Sequence, residues 1–93
     1  MSTFAVEFFG LPYEITGKRE VVIELPSGAK LADLIAALRR RTPALEGNVI
    51  RKGENRLAEH YGFYIKGRFY VDDSDLELHE GDRIRLLTLA SRG

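Results

Sequence analysis

A chain without cysteine must draw its chemistry from carboxylates, imidazoles, hydroxyls, amines or a chain terminus. None of the 93 residues here is cysteine, which excludes disulfides, iron–sulfur clusters, thiolate zinc sites and cysteine nucleophiles. His60 and His79 are far apart in sequence, each beside a glutamate. Neither has a Ser or Asp at a spacing that marks a triad, so both read as surface residues. Asp72-Asp73-Ser74-Asp75 offers oxygens for calcium, but the glycine and distal glutamate that a calcium loop needs are absent. Arg39-Arg40-Arg41 could face a phosphate, yet nothing aromatic interleaves with them. A solvated helix end accounts for them, and a solvated surface for Arg51, Lys52 and Arg56.

The last thirteen residues run Gly81-Asp82-Arg83-Ile84-Arg85-Leu86-Leu87-Thr88-Leu89-Ala90-Ser91-Arg92-Gly93. A Gly-Asp turn opens a strand in which Ile84 and Leu86 share one face and Arg83 and Arg85 the other. Continued, the alternation puts Leu87 and Leu89 on the arginine face. A face open to water should be polar, so two leucines there mark a binding patch centred on Leu87 with Leu89 and ringed by Arg83, Arg85 and Arg68. The alternative is that a loop of this chain covers Leu87. The segment reads as a central strand that delivers a free C-terminus to a partner.

The elements that must position this strand fit one domain by length. Hydrophobic residues make up 44% of the chain, close to the ordinary globular value of about 45–50%. Fourteen basic residues balance fourteen acidic ones, which argues against nucleic acid as a partner. The N-terminus lacks a basic region and an apolar run of signal length. No apolar stretch approaches the ~18 residues that span a bilayer. The expectation is a soluble, cytoplasmic domain with no membrane association and no bound metal.

Along the chain, Phe4, Val6 and Phe8 alternate as a strand, and Val21, Ile23 and Leu25 answer as a second, joined by a long turn-rich loop. Pro26-Ser27-Gly28 breaks the strand. Leu31, Leu34, Ile35 and Leu38 then follow the i, i+3, i+4, i+7 spacing of an amphipathic helix. Asp33 in its first turn and Arg39-Arg40-Arg41 in its last complement the helix dipole, and Pro43 stops it. Thr42 to His60 is irregular, anchored by Leu45, Val49, Ile50 and Leu57. Tyr61 to Ile65 and Arg68 to Val71 form a hairpin about Lys66-Gly67. One apolar helical stripe and one apolar sheet face bury each other. The predicted fold class is α+β: a mixed sheet of four to five strands, one main helix across it, and the first and last strands parallel at its centre.

This order and spacing resemble the β-grasp fold of ubiquitin-like proteins, and more closely the small sulfur carriers: the molybdopterin synthase small subunit and its thiamine-pathway relative. The likeness is carried by Leu25-Pro26-Ser27-Gly28-Ala29 leading into Leu31-Ala32-Asp33-Leu34-Ile35-Ala36-Ala37-Leu38, by Ile65-Lys66-Gly67-Arg68, and by Glu80-Gly81-Asp82. The resemblance covers nearly the whole chain. It implies a β-grasp domain over residues 1–88 and a flexible tail over 89–93, mobile from about Ala90.

The resemblance further implies that Gly93, at the position of the family's final glycine, is adenylated by an E1-like enzyme using ATP and then thiocarboxylated. Its sulfur would pass to an acceptor such as the large subunit of molybdopterin synthase, or its carboxyl would be joined to a lysine. The carrier itself would bind no cofactor and would not be an enzyme. Arg92 stands where the family has its penultimate glycine, and Thr88 and Leu89 where a proline pair is frequent. A second reading is therefore a non-covalent adaptor or enzyme subunit whose tail is never activated. Five extended residues from Leu89 to Gly93 would reach about 17 Å, enough to enter a partner's site.

Overall fold

A computed structural model describes residues 1–71 and 73–89. Five strands form one sheet: β1 (Ser2–Phe8), β2 (Glu20–Leu25), β3 (Tyr61–Ile65), β4 (Arg68–Tyr70) and β5 (Arg83–Thr88). Their spatial order is β2-β1-β5-β3-β4. Strand β5 lies at the centre, parallel to β1 with Val6 opposite Ile84, and antiparallel to β3 with Phe63 opposite Leu86. The expected parallel central pair is present. The hairpin at Lys66-Gly67 also forms, and both residues have positive φ (53° and 80°), the backbone that a two-residue turn of the primed type requires.

Helix α2 (Leu31–Arg41) buries Leu31, Leu34, Ile35, Ala37 and Leu38. These join Phe4, Val6, Val21, Ile23, Phe63, Ile84 and Leu86 in one core. Within this set Val6, Leu34, Leu38, Phe63, Ile84 and Leu86 have no exposed surface. At the start of α2 no serine caps the helix. The Asp33 carboxylate instead accepts the Lys30 backbone N–H at 2.9 Å, the returning half of a capping box.

Two segments differ from the sequence expectation. The loop between β1 and β2 contains a short helix, α1 (Leu11–Thr16), which Pro12 opens and Gly17 (φ 70°) closes. Proline early in the first turn loses no hydrogen bond there, so a residue read as a breaker starts the helix. The irregular stretch after α2 holds a 3-10 turn, Pro43–Leu45. As expected, it is pinned by buried Leu45, Val49, Ile50 and Leu57. No helix among the described residues is long and apolar enough to cross a membrane.

Candidate functional site

The sheet has two faces, and α2 covers only one. On the other, the register aligns Glu7, Arg85, Tyr64 and Phe69 in a row across β1, β5, β3 and β4. Arg85 Nε donates to Glu7 Oε1 at 3.1 Å. Its guanidinium carbon stands 6.0 Å from the centre of the Tyr64 ring, and Tyr64 meets Phe69 edge-on at 5.0 Å. Each link is modest in water, a cation–π contact at an exposed site being worth about 0.5–1 kcal/mol. Together they hold Arg85 flat on the sheet, part-buried between a carboxylate and an aromatic ring. Arg83 carries no such partner among the described residues and is exposed.

Toward the end of β5 the face turns apolar. Leu87 sits opposite Gly62 and is half-buried, as is Leu89. The Leu89 side chain lies over Gly62, where a β-carbon would meet its Cδ1 at 3.4 Å and the Tyr70 carbonyl at 3.3 Å. The Leu89 N–H donates to the His60 carbonyl at 2.6 Å. Leu89, expected in the tail, thus packs on the domain over Gly62 and is tied to it through the His60 carbonyl. Around this end Phe9, Leu11, Tyr13, Phe69 and Val71 are exposed, Val71 by 52%. A shallow cleft between β1 and α1 is lined by Glu7, Phe9, Tyr13 and Arg19, with Arg19 over the Tyr13 ring at 5.7 Å.

Arg68 is opposite Ile65, and directly paired residues share a face. It therefore projects to the helix side, on the edge strand, and does not belong to the rim around Leu87. The rim of that face is Arg83 with Arg85, and the apolar centre is wider than Leu87 and Leu89. The contribution of α1 could not be read from a Gly-Leu-Pro segment taken as loop. Arg92 and Gly93 lie outside the described residues. His60 and His79 are both exposed. Among the described residues no group of His, Asp or Glu could hold a metal ion.

The ThiS family model matches residues 6–91, from within β1 to beyond β5, with both helices included. The chain belongs to the ThiS family. Solved structures share the fold. SAMP1 from Haloferax volcanii superposes with a TM-score of 0.82 at 24% identity, covering 99% of this chain and 100% of that one. A putative molybdopterin converting factor, subunit 1, from Pyrococcus furiosus gives 0.73 at 23% identity, covering 97% and 100%. The Amycolatopsis orientalis BexX/CysO complex gives 0.69 at 16% identity, covering 97% and 99%. No curated protein matches the chain. Family membership and fold make this ThiS member a ubiquitin-like β-grasp protein of the sulfur-carrier type, and the mixed sheet with one main helix across it is the architecture expected.

Proposed function

We propose that this ThiS-family chain is an acyl carrier of sulfur whose reactive group is the Gly93 carboxylate. A carboxylate is ionised at neutral pH and is a poor acyl donor. An E1-like partner would let one carboxylate oxygen attack the α-phosphorus of ATP, releasing pyrophosphate and leaving an acyl-adenylate. A hydrosulfide ion supplied by the partner system would then attack the acyl carbon, displace AMP and, on loss of its proton, leave a thiocarboxylate. The carrier supplies no catalytic group. Its part is to bind the partner and present an unhindered glycine, which lacks a β-carbon and passes a narrow channel.

The observation that carries this reading is the position of β5. The central strand, braced by β1 and β3, ends at Thr88, next to Leu89 and an apolar field that includes Leu87, Phe9 and Phe69. A partner seated on Leu87 and Leu89, with Arg83 and Arg85 at the rim, would sit where the described strand ends and the sequence continues to Gly93. The sulfur acceptor, in this reading, is an enzyme subunit such as the molybdopterin synthase large subunit, and the setting is the cytoplasm. Arg92 favours a second reading, a non-covalent adaptor on the same face, because a long cation replaces the family's penultimate glycine.

The discriminating experiment incubates the protein with ATP and its genomic adenylating enzyme and follows exchange of labelled pyrophosphate into ATP. Wild type should support exchange and the Gly93 deletion should not. Exchange by Arg92→Gly alone, with wild type silent, identifies the adaptor.

A further inference from the structure

Charge is divided across the open face of the sheet. Its positions on β2 and β1 carry Glu20, Glu24 and Glu7 and no base, and those on β5 carry Arg83 and Arg85 and no acid. Glu20, Glu24 and Arg83 form no ion pair among the described residues. Arg85 spends Nε on Glu7 Oε1, which leaves its two Nη groups for a further carboxylate. The Phe9 N–H donates to the Leu86 carbonyl at 3.0 Å, so the parallel β1–β5 pairing runs on and sets Phe9 level with Leu87. Along the β1–β5 seam the face therefore rises in steps: Ala5 beside Arg83, Glu7 beside Arg85, then Phe9 beside Leu87.

We infer that this face is self-complementary and receives a second copy of the chain, in a reversible two-fold dimer. The axis runs along the strands, over the β1–β5 seam. Rotation about it keeps every residue at its own level and lays β1 of one copy on β5 of the other. Glu7 then meets Arg85 of the second copy, and Phe9 meets its Leu87. Each contact occurs twice, as in any isologous interface. The carboxylates and guanidiniums close into one charge cluster beside an apolar centre of phenylalanine and leucine. The cleft that Phe9 lines with Tyr13, a hollow of about 280 Å³, gives the incoming leucine room.

Charge places the axis. Centred on β5, it would stack Arg85 on Arg85; centred on β1, Glu7 on Glu7. Like charges set together across an interface are strongly disfavoured. The seam between the two strands instead sets each acid on a base. Strands lie about 4.8 Å apart and rise about 3.3 Å per residue, so four strands of about six residues present roughly 400 Å². A standard interface buries about 800 Å² on each partner. The dimer is therefore weak and gives way to a partner that fits the face better. Because it covers Leu87, dimer and adenylating enzyme exclude one another. That consequence rests on the proposed function, whereas the dimer itself needs no chemistry at Gly93.

The test is sedimentation equilibrium of the full chain, without nucleotide or adenylating enzyme, so its outcome is separate from that of pyrophosphate exchange. Wild type should pass from monomer to dimer between micromolar and millimolar concentration, and added salt should return it to monomer. Glu7→Arg and Arg85→Glu, both at part-buried surface positions, should each weaken self-association by about tenfold or more. Mixed in equal amounts, the two variants should form a heterodimer of near wild-type strength, because the rotation again sets an acid on a base at both contacts. Circular dichroism checks that each variant is folded. Should either unfold, wild type decides: in ¹⁵N-labelled protein the amides of Phe9, Arg85 and Leu87 should shift with concentration while those of Val49 and Ile50 stay fixed. A monomer at millimolar concentration leaves the face to other partners and overturns the inference. So do a dimer indifferent to both substitutions, a mixture of folded variants no more associated than its components, or concentration-dependent shifts confined to the β2 or β4 edge.

Discussion

Leu89 closes over Gly62, where an added β-carbon would stand 3.4 and 3.5 Å from its two methyls and 3.3 Å from the Tyr70 carbonyl. Glycine inside a strand usually costs stability. Here it lets the last described residue of the chain pack on the sheet while its N–H reaches His60. Gly62→Ala would press on the Tyr70 carbonyl at 3.3 Å and place a methyl against the Leu89 side chain. Loss of about 1 kcal/mol, a Tm decrease of roughly 4–8 °C, is the expected result. The Leu89 amide should exchange faster than in wild type. An unchanged Leu89 amide would mean that the slot does not hold the strand end.

Leu34 has no exposed surface and sits between α2 and the sheet. Leu34→Ala should cost about 2–5 kcal/mol in chemical denaturation. A loss below about 1 kcal/mol would show that the helix face is loosely packed.

The start of α2 depends on a side chain well inside its first turn. Asp33 accepts the Lys30 N–H at 2.9 Å and also places a negative charge where the helix dipole favours it. Asp33→Ala should cost about 0.5–2 kcal/mol, whereas Asp33→Asn should retain part of the stability because its amide oxygen still accepts.

Leu87 is half-buried, neither core nor free. Leu87→Asp should abolish binding to the adenylating partner in calorimetry and lower Tm by only a few degrees, since the side chain already meets water. A large fall in Tm with binding intact would assign Leu87 to the fold.

Most of the architecture was legible because period-two and period-3.6 patterns are imposed by burial itself. The core faces of β1, β2, α2 and β5 could be read from Phe4, Val21, Leu34 and Ile84 because each repeats with its element's period. Helix α1 was not legible: one turn and a half has too few residues for a period, and Pro12 reads as a breaker when it is the helix opener. The site was legible in its centre, Leu87, because an apolar residue broke the expected alternation with arginine. Its breadth was not, since Phe9, Tyr13 and Phe69 come from three separate segments that only the β1-β5-β3-β4 order brings together. Arg68 was misplaced for a related reason. The face of an edge strand depends on hairpin register, and pairing with Ile65 sends Arg68 to the helix side. Leu89 was assigned to the tail because nothing local signals that a distant Gly62 accommodates it.

The central claim is that the carboxylate of Gly93 carries sulfur, and intact mass spectrometry of the protein purified from its own cells tests it most directly. A population heavier by the replacement of one oxygen with sulfur, lost on deletion of Gly93 and on deletion of the genomic adenylating enzyme, is the predicted result. A single unmodified mass under sulfur-replete growth, unchanged when that enzyme is removed, would contradict it.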